Sequence, residues 1–93
     1  MNTKQQHQHI LITPPFKASS QIFGTGYDPH TRTLAIQFHS KSGPGSVYHY
    51  ADFPPEKWEA MQKAESLGSY FGEHVKGHDP KRPLHMFTKI EKK

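Results

Sequence analysis

Residues 33–50, TLAIQFHSKSGPGSVYHY, decide the predicted fold. The first seven residues alternate in polarity, with Leu34, Ile36 and Phe38 on one side of an extended chain. This period of two predicts a half-buried strand. The turn-forming residues SKSGPGS follow, and VYHY is rich in β-forming residues, so the segment predicts two strands joined as an antiparallel hairpin.

The sequence after the hairpin changes to a helical period. Trp58, Met61 and Ala64 are spaced three residues apart, so they predict a helix that begins near Pro55 and turns the tryptophan toward the core. Residues 66–77, SLGSYFGEHVKG, predict a second helix, which a serine caps at its start and a glycine ends.

The complete order of elements predicts one small α+β domain. Residues 19–28, SSQIFGTGYD, precede an Asp-Pro turn and predict a strand before the hairpin, which gives the order βββαα. We therefore expect a domain at residues 19–77, in which a three-stranded antiparallel β-meander is followed by two helices packed on one face. Residues 1–18 contain a Pro-Pro pair and predict an extended or disordered arm, and residues 78–93 predict an irregular basic tail.

The two tyrosines of VYHY lie on the same side of their strand, and the sequence allows two orientations for them. If Tyr48 and Tyr50 face the helices, they join the core with the apolar residues of the preceding strand. If they face outward, they form a platform on which nucleobases can stack. We expect mostly buried rings whose hydroxyl groups reach the rim of a cleft, because aromatic residues at alternating positions are more often part of a core.

Composition limits the possible functions. The 93-residue chain has no cysteine, which excludes disulfides, thiolate metal sites and thiol nucleophiles, and favours the cytoplasm. We expect this to be a bacterial or bacteriophage cytoplasm. The apolar run near the N-terminus, residues 10–12, is too short for a signal sequence or a membrane span. The net charge of +4 favours polyanionic partners.

Four stretches together resemble the KTSC domain in their order and spacing. They are GYDPHTRTLAIQF, the glycine-containing turn before VYHY, PPEKWEAM and SLGSYFGEHVKG, within about residues 19–77. This short domain is named for its occurrence at the C-terminus of some lysyl-tRNA synthetases, and it also occurs as a stand-alone protein. Its central Tyr-x-Tyr corresponds to Tyr48-His49-Tyr50. The loop HSKSGPGS is longer than is usual in the family, and the N-terminal arm lies outside the domain. The resemblance implies an RNA-binding role, because of the attachment to a tRNA synthetase.

The candidate ligand-binding residues are cations and aromatic or histidine side chains near the predicted loops and the central strand. The cations could hold phosphate groups, with bidentate contacts from arginine, while the tyrosines shape a pocket and donate hydrogen bonds. The predicted set is Arg32, Lys41, Tyr48, His49, Tyr50, Lys76, Lys81 and Arg82.

No pattern in the chain predicts catalysis, a metal site or a cofactor. No spacing of serine, histidine and carboxylate residues favours a triad. His74 and His78 are four residues apart, but Gly77 separates them and no cysteine completes a ligand set. Gly24 and Gly26 lie within a predicted strand, where glycines mark a bulge or close packing more often than a phosphate loop.

Three hypotheses for function remain open at this point. The first is a non-enzymatic binding module for RNA or a phosphate-bearing nucleotide ligand. The second is a protein–protein adaptor or inhibitor, for example phage-encoded, that uses an apolar surface near Phe53 and Trp58. The third is a binder of a small nucleotide signal, in a pocket between the subunits of a homo-oligomer.

Overall fold

One antiparallel sheet and two consecutive helical segments make up the described part of the chain, which comprises residues 10–14, 19–77 and 84–90 of the computed structural model. The order of strands in the sheet is the order in the chain. The strands are β1 (Ile22–Asp28), β2 (Thr33–Ser40), β3 (Gly43–Tyr50) and β4 (Phe87–Ile90), and the helices are α1 (Pro55–Lys63) and α2 (Leu67–Phe71), which continues as a π-helical turn at Gly72–Lys76.

The predicted α+β class, with its three strands followed by two helices, is confirmed. The fourth strand was not predicted, because the two prolines ahead of it in the sequence indicated an irregular tail. β4 pairs with β3, from which both helices separate it in the chain. Such a long-range pairing leaves no local signal beyond the short run of residues 87–90.

The register of β2 against β3 settles the orientation of the tyrosines. Ile36 lies opposite Tyr48 and Leu34 lies opposite Tyr50, so all four side chains share the helix-facing side of the sheet. Tyr50 is 5% exposed and Tyr48 is half-buried against the core. The prediction that the tyrosines pack under the helices is confirmed.

Local signals at the helix ends act as the sequence predicts. Pro55 is the first residue of α1, and the Ser66 hydroxyl accepts a hydrogen bond from the backbone N–H of Ser69 at 3.2 Å, which caps α2. Gly77 ends the π-helical turn with φ 81°, a conformation that favours glycine.

The core below the helices differs from the prediction at Trp58. Met61 is the buried residue of α1, whereas Trp58 is half-buried and stacks on Tyr27, with ring centroids 5.4 Å apart and an angle of 13° between the planes. Phe53 lies before α1 with 0% exposure, so it belongs to the core and not to an accessible apolar surface. Trp58 therefore lies over Tyr27 at the edge of the core, while Met61 and Phe53 are the buried residues of this region.

Residues 10–13 lie against β1. The backbone N–H groups of Thr13 and Thr25 each donate to the other's carbonyl oxygen at 2.9 Å. A Cβ at Gly24 would lie 2.5 Å from Ile12 Cγ2, and a Cβ at Gly26 would overlap the Leu11 carbonyl oxygen. The register of β1 also shifts between Ile22 and Gly24. Both features expected of the two glycines, a bulge and close packing, are confirmed.

We expect Phe53→Ala to reduce the free energy of unfolding by about 3–5 kcal/mol, because the ring is fully buried. Trp58→Ala should cost less, about 1–3 kcal/mol, because its indole is only half-buried. Urea denaturation followed by circular dichroism measures both, since Trp58 is the single tryptophan and its fluorescence would be lost. A larger loss for Trp58→Ala would contradict this account of the core.

We expect Gly26→Val to destabilise the full chain by about 1–3 kcal/mol, because the new side chain displaces residues 10–12 from β1. The same substitution in a chain that lacks residues 1–14 is the control. There it should be neutral or stabilising, because valine suits a strand better than glycine. Equal costs in the two backgrounds would show that residues 10–13 contribute no packing at this position.

Candidate functional site

An open cleft lies between the helix-facing side of the sheet and the helical segment formed by α2 and its π-helical turn. Its volume is about 780 Å³. The β2–β3 hairpin, β4 and the helical segment supply its walls, so it lies where the helices leave part of the sheet uncovered. The lining side chains are aromatic at Phe38, Tyr48, Tyr50, Phe71 and Phe87, and polar at Gln21, His39, Ser40, Ser46 and Lys76.

The five aromatic residues, which we call the aromatic quintet, form a closed circuit of ring contacts. The centroid distances are 5.6 Å for Phe38–Tyr48, 5.9 Å for Tyr48–Phe87, 5.8 Å for Phe87–Tyr50, 5.4 Å for Tyr50–Phe71 and 5.6 Å for Phe71–Phe38. Every contact is tilted or edge-to-face, which the ring quadrupoles favour. The circuit joins β2, β3, α2 and β4 into one wall.

One side of the quintet is anchored in the core and the other is open. Tyr50 and Phe71 are buried, Tyr48 is half-buried, and Phe87 is 53% exposed. Ring surface of Phe87 and Tyr48 is therefore available to a planar apolar group, while the buried members hold these rings in place.

The rim of the cleft is polar, and the residues that line it in the described part of the chain include no carboxylate. Lys76, in the last turn of the helical segment, is the cation among them. Lys89 is paired with Tyr48 and shares its face of the sheet, and Lys41 lies in the β2–β3 turn beside Ser40. This charge pattern favours an anionic ligand.

Burial makes the Tyr50 hydroxyl still harder to ionise than an ordinary tyrosine. Desolvation raises the pKa of Tyr50 far above its ordinary value, and the neighbouring Tyr48 raises this pKa further. At neutral pH the hydroxyl is therefore a hydrogen-bond donor at the base of the cleft.

Gly72 gives the helical wall of the cleft an open position. Its φ of −63° and ψ of −40° suit any residue, and a Cβ there would have no neighbouring atom within 4 Å apart from its own helical turn. A larger side chain at Gly72 would extend into free space along the cleft wall without straining the backbone.

The structure brings together only part of the predicted ligand-binding set. Tyr48, Tyr50 and Lys76 line the cleft. Lys41 is beside it, while His49 points to the opposite face of the sheet, where it is paired with Ala35. Lys81 and Arg82 lie outside the described residues.

Arg32 lies at the other end of β2 from the cleft rim at Ser40, roughly 25 Å along an extended strand. Arg32 lies in the β1–β2 turn with φ 57°. Its carbonyl oxygen accepts a hydrogen bond from the Phe53 N–H at 2.9 Å. Arg32 is not among the residues that line the cleft with Lys76.

Sequence reasoning missed several residues of the cleft, above all Phe71 and Phe87. The sequence predicted a helix over the residues that include Phe71 and an irregular tail over those that include Phe87, and neither pattern shows that the two rings meet tyrosines from β3. The only local signal for Phe87 was the aromatic and β-branched run at residues 87–90.

Other site types are not present in the part of the chain that the structure describes. No group of three or more histidine or acidic side chains there could hold a metal ion. His74 Nε2 lies 3.9 Å from Glu73 Oε1 at the surface, and His78 is outside the described residues. None of the described helices combines the length and apolar character needed to cross a membrane.

Comparison with known proteins identifies the fold and the family. The model of the KTSC domain family matches residues 18–78. The crystal structure of a KTSC domain protein from Yersinia pestis superposes with a TM-score of 0.69 at 30% identity, and the match covers 89% of this chain and 100% of that one. The chain belongs to the KTSC domain family. The resemblance that the sequence indicated is confirmed.

Curated relatives include short proteins and parts of larger ones. A protein from Stutzerimonas stutzeri is 38% identical over 58 residues, which are 62% of this chain and 76% of that protein. A lysine–tRNA ligase from Nostoc punctiforme is 41% identical over 69 residues, which are 73% of this chain and only 12% of the ligase. The likeness to the ligase is thus confined to a small segment of that enzyme.

The Tyr-x-Tyr of this KTSC domain now has a structural explanation. Both tyrosines belong to the aromatic quintet, and the intervening His49 lies on the opposite face because side chains alternate along a strand. In this chain the motif contributes at once to the core and to the wall of the cleft.

Proposed function

We propose that this KTSC domain is a non-enzymatic module that binds unpaired nucleotides of RNA in the cleft, in a bacterial or bacteriophage-infected cytoplasm. The observation that carries the proposal is the aromatic quintet below a rim that has a lysine and, among the residues that the structure describes, no carboxylate. Unpaired bases stack on aromatic side chains, and the adjoining phosphate groups are attracted to cations.

The chemistry of the cleft supports a base and a phosphate in adjacent positions. Phe87 and Tyr48 present ring surface, and Tyr50, which also lines the cleft, has a hydroxyl that is protonated at neutral pH and can donate. Lys76 on one wall and Lys89 on the other could each meet a phosphate. A paired base inside a duplex would not expose its face to these rings, so the proposal is limited to single strands.

The relatives support RNA over other polyanions. A segment similar to this chain occurs within a lysine–tRNA ligase, a protein whose name includes an RNA substrate. A binding module attached to such an enzyme would add contacts to RNA without taking part in the reaction.

The polar contacts around the cleft support binding without catalysis. The His39 ring is hydrogen bonded through Nε2 to the Ser19 carbonyl oxygen at 3.0 Å, and the Ser40 hydroxyl donates to the Gly43 carbonyl oxygen at 2.9 Å. The histidine and the adjacent serine are thus each engaged with backbone, not arranged as base and nucleophile.

The adaptor hypothesis needs a different surface from the one near Phe53 and Trp58, since Phe53 is buried. Leu84, Met86 and Phe87 are exposed large apolar side chains close together in the sequence, and they favour this segment as the contact for a protein partner. A small nucleotide in the same cleft is the third candidate, because the cleft is large enough for one whole nucleotide.

We expect Gly72→Leu to abolish binding of short mixed-sequence single-stranded RNA, measured by fluorescence anisotropy at low salt. The leucine should occupy the cleft while leaving the melting temperature unchanged or higher, because the position is helical and unobstructed. Ala60→Leu adds a similar side chain at an exposed position of α1 and is the matched control.

Wild-type affinity that is retained in a folded Gly72→Leu variant would show that RNA does not use the cleft. Titration with mono- and cyclic nucleotides distinguishes the alternatives. Tight binding of a mononucleotide favours a small ligand, and failure of every nucleotide and RNA to bind favours the adaptor.

We expect Lys76→Ala to weaken RNA binding and to flatten the salt dependence, because one cation fewer meets the phosphate chain. The slope of log affinity against log salt should decrease in magnitude by about 0.7, the value for one phosphate of a single strand. Lys63→Ala removes an exposed lysine from the end of α1, away from the cleft, and should leave the slope nearly unchanged. Equal effects of the two substitutions would indicate non-specific attraction to a basic protein.

A further inference from the structure

The C-terminal segment, residues 84–90, is anchored by a histidine. His85 is 8% exposed and is the one buried side chain among these residues, all of which the structure describes. Two residues later the chain enters β4 and supplies Phe87 to the aromatic quintet. Any interaction that holds His85 therefore also holds one wall of the cleft.

The hydrogen bonds of His85 define its protonation state. The Lys57 ammonium group lies 2.9 Å from His85 Nε2 and donates to the His74 carbonyl oxygen at 2.7 Å. Lysine has no acceptor atom, so Nε2 must accept the hydrogen bond and the proton must reside on Nδ1. Nδ1 in turn lies 2.9 Å from the Ala51 carbonyl oxygen, to which it donates. Only the neutral imidazole satisfies both contacts.

The surroundings favour this neutral form. Burial and the positive charge of Lys57 lower the pKa of His85, against the opposing effects of the Ala51 carbonyl and of Asp52 in the turn before α1. Burial also lowers the pKa of Lys57. The remaining contacts come from the Phe53 ring, 5.1 Å from the imidazole, and from the π-helical turn, which presents the His74 carbonyl to Lys57.

Several further contacts hold the segment in place, including those of the Phe87 ring with Tyr48 and Tyr50. The Ala51 N–H donates to the Met86 carbonyl oxygen at 2.8 Å, and the Leu84 N–H lies 3.4 Å from the Lys76 carbonyl oxygen. The ladder between β3 and β4 has four residue pairs, and the side chains of Phe87, Thr88 and Lys89 are exposed. The histidine is therefore the segment's buried side chain among the contacts that fix β4 against β3.

We infer that Lys57 and His85 form a latch that docks β4 onto β3 at neutral pH and releases it in acid, and that this latch positions Phe87 for the ligand of the cleft. The docking part stands on the geometry of the latch alone. The positioning part rests on the proposed function. Both residues act on the ligand through β4 and are positioning residues.

The direction of the pH effect follows from the contacts. Protonation at Nε2 would turn the acceptor of Lys57 into a donor and place a second positive charge beside the ammonium group. The undocked segment takes up this proton near the ordinary histidine pKa of 6.5, whereas the docked segment takes it up only at lower pH. The contribution of His85 to docking is therefore present in full well above pH 6.5 and is lost as the pH falls below that value.

Amide hydrogen exchange, measured by NMR on the ligand-free full chain, tests the latch. Protection factors of the β3–β4 ladder should fall as the pH is lowered from about 7.5 to 5.5, by up to about tenfold per pH unit for one proton. Those of the β1–β2 ladder should stay constant. A β3–β4 ladder whose protection does not change with pH would overturn the inference.

Two variants separate the latch from a general effect of acid. The amide of His85→Gln can accept from Lys57 and donate to Ala51 but does not titrate, so β4 should remain protected and lose its pH response. Lys57→Met keeps the aliphatic stem and removes the charge, so protection should already be lower at neutral pH. His74→Gln is the matched control, because it removes an exposed histidine close by while the His74 carbonyl oxygen remains; the pH response should persist.

Binding of the short RNA pool at neutral and acidic pH then tests the positioning part. Relative to His85→Gln, the wild type should lose affinity in acid. If the RNA affinity of the wild type and that of His85→Gln have equal pH profiles, the inference that the latch positions Phe87 is wrong. The exchange data would still test whether the latch docks β4. If no RNA binds at any pH, the proposed function fails and the exchange experiment alone judges the latch. A pH-dependent protection of the β3–β4 ladder that persists in His85→Gln would overturn the latch.

Discussion

The pairing of β2 with β3 is the constraint on which the rest of the structure depends. With Ile36 opposite Tyr48 and Leu34 opposite Tyr50, one face of the sheet carries the aliphatic core and both tyrosines. A shift of one residue would turn both tyrosines to the other face, where Ala35 and Gln37 now lie. The helices would then cover a different surface, and neither Phe71 nor Phe87 could meet the tyrosine rings.

Because of this register, the same aromatic residues serve the core and the cleft. Tyr50 and Phe71 are buried, so they stabilise the domain as ordinary core residues do. Their edge-to-face contacts extend to Tyr48 and Phe87, which are less covered. Their exposed ring surface faces a cleft whose lining, in the described part of the chain, contains no carboxylate.

The C-terminal segment has a polar side chain as its buried anchor. β4 extends the sheet with only four residues, and its buried anchor is a histidine that neighbours a lysine. An aliphatic anchor would contribute burial at every pH, whereas a neutral histidine contributes it only while it remains unprotonated. The wall that carries Phe87 is therefore held by this polar contact as well as by the ring contacts of Phe87 with Tyr48 and Tyr50.

The amino-acid sequence by itself determined the elements whose signals are local. The alternation of residues 34–38 defined a strand, Ser66 and Gly77 defined the ends of the second helical segment, and the likeness of residues 19–77 to the KTSC domain was visible in the spacing of short motifs. These features depend on periodicity and on the conformational preferences of single residues, which act over a few positions of the chain.

Only the tertiary structure decided how these elements combine into a site. It added β4 to the sheet, left Trp58 only half-buried, and placed Lys76 but not Arg32 in the lining of the cleft. It also brought Phe87 to the tyrosines across both helices. Such contacts join residues far apart in the chain, and whether they form depends on register, packing and the entropy of closing the intervening loops, none of which leaves a pattern at either partner alone.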